Sequence, residues 1–171
     1  MMTQQQYERI SAPFRTPART SALRLTNKLL TAGVYAAYCL CCAKLILQLD
    51  PRLVPALLIP GVPFVLLSLV RAKINAPRPY EALNIEPLLK KHRSGNSFPS
   101  RHVFSAFVIG MTLCRFWLPL GIIILAAGAL LAAIRVIGGV HFPRDVIAGS
   151  IVGIVSGGIG ILIWNLIGGM A

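Results

Sequence analysis

Two short polar stretches carry nearly all the residues able to do chemistry. The first, residues 71–102, reads RAKINAPRPYEALNIEPLLKKHRSGNSFPSRH, and the second, residues 135–145, reads RVIGGVHFPRD. In the second, His141 and Asp145 stand four apart with Pro143 between them, and proline suits the first turn of a helix. Asp145 would then sit early in that helix and reach back toward His141. A carboxylate that accepts from one imidazole nitrogen fixes the tautomer and leaves the other nitrogen free as nucleophile or base. The plain alternative for this segment is a structural ion pair of Asp145 with Arg144 or Arg135.

In the first stretch, Ser97-Phe98-Pro99-Ser100-Arg101-His102 reads as a helix start: a hydroxyl cap candidate, a proline, then a long apolar run. The backbone N–H groups of that first turn would face the same polar pocket, and a helix N-terminus is a ready anion site. Arg71, Arg78, Arg101 and Arg135 fall at the same end of the apolar runs, and the guanidinium fork suits phosphate oxygens. Headgroup contact accounts for Lys90, Lys91 and Arg93. It is a poor account of Arg135, which lies in the apolar run LLAAIRVIGG. Two histidines, one carboxylate and several arginines describe phosphoryl transfer without a metal or other cofactor. A two-metal phosphatase needs a cluster of Asp and Glu ligands, and this chain has five acidic residues in all.

The elements that must hold these residues are apolar. The chain is 171 residues long, 56% hydrophobic and 13% charged, with a mean hydropathy of +0.71. That composition predicts an integral membrane protein of the all-α class. Apolar runs at 29–49, 53–70, 102–117, 119–137 and 146–167 predict a bundle of about five transmembrane helices, each close to the ~20 residues that cross a bilayer. The second run contains Pro55, Pro60 and Pro63 and predicts a kinked or partly irregular span. Alternating direction through five spans brings both polar stretches to one membrane face, where they can form one site. Gly149, Gly153 and Gly157 recur every four residues in the last span and allow close helix approach. Packing within the monomer is preferred over a dimer seam, so the expected state is a monomer or weak homodimer. Cys39, Cys41, Cys42 and Cys114 lie in apolar runs without metal spacing and read as small buried hydrophobes.

The net charge of +12 would suggest nucleic acid in a soluble protein. Here the cations flank apolar runs, so the expected partners are the bilayer and a membrane lipid phosphate, with no nucleic acid. Residues 1–28 form a basic arm, either interfacial or a solvated tail, preceding one transmembrane domain over 29–171 with site loops at 71–101 and 135–145.

These residues resemble the type 2 phosphatidic acid phosphatase family, the lipid phosphatases related to vanadium haloperoxidases. The family's first motif is Lys, six residues, Arg-Pro; here Arg71 takes the Lys place before Arg78-Pro79. The second is Pro-Ser-Gly-His; here Pro99-Ser100-Arg101-His102 has Arg for Gly. The third is Ser-Arg, five residues, His, three residues, Asp; here Ile134-Arg135, His141 and Asp145 match except for the Ser. The resemblance implies that His141 attacks phosphorus and forms a phosphohistidine, oriented by Asp145, and that His102 protonates the leaving oxygen. It also implies that Arg71, Arg78, Ser100 and Arg135 hold the phosphate oxygens. Arg101 either replaces a lost contact or points to headgroups.

The expected function is therefore metal-independent hydrolysis of a lipid phosphomonoester or diphosphate. Candidates are phosphatidic acid, phosphatidylglycerophosphate and a polyprenyl phosphate or diphosphate such as undecaprenyl diphosphate. A non-catalytic lipid-phosphate binder or anion transporter on the same scaffold is the alternative. The family's usual six helices put the site on the outer face of the cell membrane. Charge favours the cytoplasmic face: 14 of the 17 Lys and Arg residues fall on the site's side, five of them in the arm.

Overall fold

The computed structural model describes residues 2–89 and 94–167, so Lys90, Lys91 and Arg93 lie outside the described residues. The chain is all helical there: α1 (Gln4–Ser11), a 3-10 turn (Ala12–Phe14), α2 (Pro17–Leu47), α3 (Leu53–Ile74), α4 (Pro79–Ala82), α5 (Arg101–Phe116), α6 (Leu118–Ile137) and α7 (Pro143–Leu166). The five long helices follow the five apolar runs in order. Four of them, α2, α3, α6 and α7, are long and apolar enough to cross a membrane, and their outward faces expose Leu29, Leu40, Leu58, Ile123 and Leu162. This is a multi-pass membrane protein.

The fifth long helix, α5, has 16 residues and a length of about 24 Å, short of the ~30 Å of bilayer hydrocarbon. It is the enclosed centre of the bundle, packed against α6, α7 and α3, with Val103, Phe104 and Ala106 fully buried. A helix walled by protein has no hydrocarbon thickness to match. The glycine stripe of α7 makes this packing possible: a Cβ at Gly149 would lie 2.7 Å from the Ser100 carbonyl oxygen, and one at Gly153 would lie 2.8 Å from that of Phe104. The stripe is therefore spent inside the chain, as its spacing predicts.

Helix α3 is helical through Pro60 and Pro63, without the irregular segment that its prolines predict. Pro60 has no N–H to give the carbonyl of Ala56, one turn earlier. The Tyr38 hydroxyl of α2 donates to that oxygen at 3.0 Å instead. A side chain on a neighbouring helix thus satisfies what the proline leaves open.

The basic arm is structured. Thr3 and Gln6 form a capping box on α1, and Tyr7 is fully buried, donating from its hydroxyl to the Glu86 carbonyl at 3.3 Å. Its ring lies against Gly139, whose φ of +73° and lack of a side chain admit the contact; a Cβ there would come within 2.6 Å of the Tyr7 hydroxyl oxygen. Helix α2 begins at Pro17, twelve residues before its apolar run, because Pro17 suits the first helical position and the following Ala, Arg and Leu residues favour helix. Leu23 of this early section packs with Leu88, Leu89, Ile134 and Val140. Arg24 donates to the Leu88 carbonyl at 2.8 Å. The arm is thereby fastened to both polar loops, which is not the behaviour of a solvated tail.

Candidate active site

The two polar stretches meet at one end of the bundle. Helix α3 ends at Asn75, in the left-handed conformation at φ +43°, and its side chain accepts from the Asn96 N–H at 3.2 Å. Arg71, one turn back and buried, donates to the carbonyls of Ser97 (3.4 Å) and Asn96. Arg78 donates to the Gly95 carbonyl at 3.0 Å and, across to the other loop, to the Val140 carbonyl at 3.3 Å. Glu81 accepts from the N–H groups of Arg78 (2.7 Å) and Gly95 (3.1 Å) and ties the first loop to itself. A guanidinium has five donors. Among the described residues these bonds occupy two donors on each arginine.

Helix α6 ends at Ile137, and the Arg135 carbonyl accepts from the N–H groups of Val140 (3.2 Å) and His141 (3.3 Å). That turn presents His141 just before α7 begins at Pro143. The Asp145 carbonyl accepts from the Ser100 N–H at 2.8 Å and joins the start of α7 to the start of α5. Ser100 is the residue before α5, but its hydroxyl makes no capping bond, and α5 starts at Arg101. The hydroxyl that matters is Ser97, which sequence reasoning treats only as part of the helix start.

Ser97 is fully buried and donates its hydroxyl proton to Asp145 Oδ2, which also accepts from the Phe142 N–H at 3.0 Å. His141 Nδ1 lies 3.4 Å from Ser97 Oγ and 3.5 Å from Asp145 Oδ2. With its one proton given to the carboxylate, Ser97 Oγ offers Nδ1 only lone pairs, and Oδ2 is an acceptor as well. Nδ1 thus faces two acceptors and must carry the proton. The tautomer follows from this pattern, and Nε2 is left unprotonated. The alternative of a purely structural pair with Arg144 is poorly served, since Arg144 Nε stands 3.6 Å from Asp145 Oδ1 and its side chain is 46% exposed.

The imidazole of His141 is held neutral. Burial pushes its pKa down to about 4, and the charges of Arg135 and Arg78 act in the same direction, while the bond to Asp145 opposes them. A neutral imidazole with a free Nε2 is a nucleophile or base near pH 7.

Arg71, Arg78, Arg101, His102 and His141 line a single cavity of about 230 Å³ with Tyr35 and Phe64. Asp145 lies behind His141, outside the lining. Ser100 and Arg135 are also buried outside it, Arg135 with Nε and Nη1 unpartnered among the described residues. Arg101 faces the cavity and stacks on Phe64, its guanidinium carbon 5.7 Å from the ring centre. Larger grooves exist, including one of about 860 Å³ beside α1, but neither histidine lines it. Tyr35 and Phe64 were not legible as site residues, because an aromatic residue in an apolar span looks like any lipid-facing one.

Residues 52–167 match the family model for the PAP2 superfamily. The chain belongs to the PAP2 superfamily. The matched region contains both site loops and every predicted site residue, so the resemblance drawn from the three motifs holds. The chain is 35% identical over 80 residues to the bacitracin transport permease protein BcrC of Bacillus licheniformis, a match covering 46% of this chain and 39% of that one. It therefore spans about two fifths of that relative. Among solved structures, LpxE of Aquifex aeolicus superposes with a TM-score of 0.74 at 24% identity, covering 95% of this chain and 96% of that one. A transmembrane PAP2-type phosphatidylglycerolphosphate phosphatase of Bacillus subtilis superposes with a TM-score of 0.57 at 22% identity, covering 96% and 95%. At these identities the likeness is one of fold, and it is the PAP2 membrane fold.

Proposed function

We propose that this PAP2 superfamily member is a lipid phosphate phosphatase that works without a metal, through a phosphohistidine. The observation that carries the reading is the setting of His141: Nδ1 faces two acceptors, and the residue lines a cavity with His102 and three arginines. Nε2 attacks phosphorus as the bond to the leaving oxygen breaks. His102 gives that oxygen a proton, and the imidazolium formed at His141 is stabilised by Asp145. Arg71 and Arg78 take the phosphate oxygens from the cavity wall, and Arg135 and Ser100 lend charge and a hydroxyl from behind it. A water that loses its proton to His102 then attacks the phosphohistidine and releases inorganic phosphate. Among the described residues no group of three or more His, Cys, Asp or Glu could hold a metal, a donor set unlike that of a two-metal phosphatase.

Phosphatidic acid, phosphatidylglycerophosphate and polyprenyl phosphates or diphosphates are the substrate candidates. The excess of Lys and Arg on the site's side, including five in the arm, supports a cytoplasmic active site. Phosphate release from these lipids by the purified protein in EDTA tests the activity. A rapid quench with a labelled substrate tests the intermediate, which should be acid-labile and absent from His141→Ala. Activity retained by His141→Ala rejects the mechanism. Headgroup binding with no phosphate release points instead to a non-catalytic binder.

A further inference from the structure

The five charged or imidazole side chains of the cavity wall are more than a single phosphoryl group requires, and Arg101 is the one that stands apart. Arg71 and Arg78 are fixed by hydrogen bonds to the loop carbonyls around them. Among the described residues Arg101 has no ion pair with a carboxylate; the ion pairs there are Arg52–Asp50, His141–Asp145 and Arg144–Asp145. Its guanidinium rests on the Phe64 ring instead.

Phe64 fixes the depth of that charge. It precedes Arg71 by seven residues on α3, which is about 10 Å along the helix axis toward the bilayer. Arg101 thus reaches from the start of α5 toward Phe64, which lies on the bilayer side of the Arg71 backbone, the direction in which a lipid tail would extend. It is also the immediate neighbour of His102, the proton donor to the leaving oxygen. A monoester places neutral carbon atoms on that side. A guanidinium stacked on an aromatic ring and lacking a carboxylate partner is poorly matched to carbon and well matched to an anion. The cavity, about 230 Å³, has the volume of roughly seven waters, more than one five-atom phosphate group needs.

We propose that Arg101 forms a second anion subsite, on the leaving-group side of the transferred phosphate, and that it selects lipids with a further negative group adjoining the scissile bond. A lipid diphosphate is the smallest such substrate. His141 Nε2 then bonds to the outer phosphorus, and the bridging P–O bond breaks with its electron pair on the inner phosphate. Arg101 holds the charge that develops there while His102 supplies the proton. Water returns the outer phosphate as inorganic phosphate. This inference rests on the phosphatase reading above and adds the subsite to it.

Farnesyl diphosphate and farnesyl monophosphate in the same detergent test it. The wild-type protein should favour the diphosphate in kcat/KM. Arg101→Gly should lower the diphosphate-to-monophosphate ratio of kcat/KM at least tenfold, and Arg101→Lys should recover part of it. An equal fractional loss on both substrates would assign Arg101 to the transferred phosphate and overturn the subsite, as would a wild-type preference for the monoester. The monoester activity reports that each variant is folded, and a variant inactive on both is replaced by Arg101→Gln in the same comparison. Release from the monoester alone defeats the subsite and leaves the phosphatase intact, whereas no release from either and no phosphohistidine defeats both.

Discussion

Removing one hydroxyl tests the active-site geometry more sharply than removing the histidine. Ser97→Ala keeps the backbone carbonyl that holds Arg71 and deletes only Oγ. That atom donates to Asp145 Oδ2 and sits 3.4 Å from His141 Nδ1. A buried hydrogen bond to a charged acceptor contributes about 1.5–3 kcal/mol. At about 1.4 kcal/mol per tenfold in rate, its loss corresponds to roughly 10- to 100-fold in kcat/KM if all of it serves the transition state. Asp145 would retain the Phe142 N–H at 3.0 Å and His141 at 3.5 Å, so the ring loses one of two acceptors and the effect stays below that of Asp145→Asn. Ser97 does not line the cavity, so KM should move less than about threefold and the loss should fall on kcat. Steady-state kinetics of Ser97→Ala, Asp145→Asn and the double variant provide the assay. Because both residues act through Nδ1, the double variant should be scarcely worse than Asp145→Asn alone. Ser97→Ala within threefold of wild type, or losses that multiply in the double variant, would refute the tautomer argument.

Two further outcomes follow from the same coordinates. His141 has a pKa lowered from 6.5 to about 4 in the folded chain, so between those values the unfolded state binds more protons than the folded state. Its contribution to stability is present in full above pH 6.5 and is lost as pH falls toward 4; the thermal midpoint should rise with pH across this window by more in wild type than in His141→Gln. Tyr38→Phe removes the donor that replaces the missing Pro60 N–H at the Ala56 carbonyl, and should cost about 1–3 kcal/mol in detergent unfolding while leaving kcat/KM within twofold.

Much of the site was legible from residue types and spacing. His141, four residues before Asp145 across a helix-starting proline, required only the period of a helix. Convergence of the two loops followed from counting spans. Other features depended on contacts between segments far apart in the chain. Ser97 is 48 residues from Asp145, and a serine in a polar loop carries no mark of the carboxylate it will meet. Tyr7 is 79 residues from Glu86. Helix α2 escaped the hydropathy pattern in its first turns because basic residues there interrupt the apolar run. Helix α5 was legible as a helix but not as the bundle's enclosed axis, since burial by protein and by lipid select the same apolar residues. The prolines of α3 were read by their local cost, and the Tyr38 hydroxyl on another helix offset it.

The charge of this chain is best understood together with its burial. Arg71, Arg78 and Arg135 are each at most 4% exposed, and none forms an ion pair with a carboxylate among the described residues. Isolated buried cations are costly, and a fold that served only stability would replace them with apolar side chains or pair them. The nearby carboxylate, Asp145, turns Oδ2 to Ser97, Phe142 and His141 rather than to an arginine. Its Oδ2 is thus committed to the serine, backbone and imidazole partners, Arg144 meets only Oδ1 at 3.6 Å, and the charge of Arg71 and Arg78 is left to be answered from the cavity. An anion of two or more charges entering between Arg71, Arg78 and Arg101 would meet that requirement. An apolar or cationic ligand would not. The same imbalance that makes these buried cations costly is what suits them to the phosphate role proposed above.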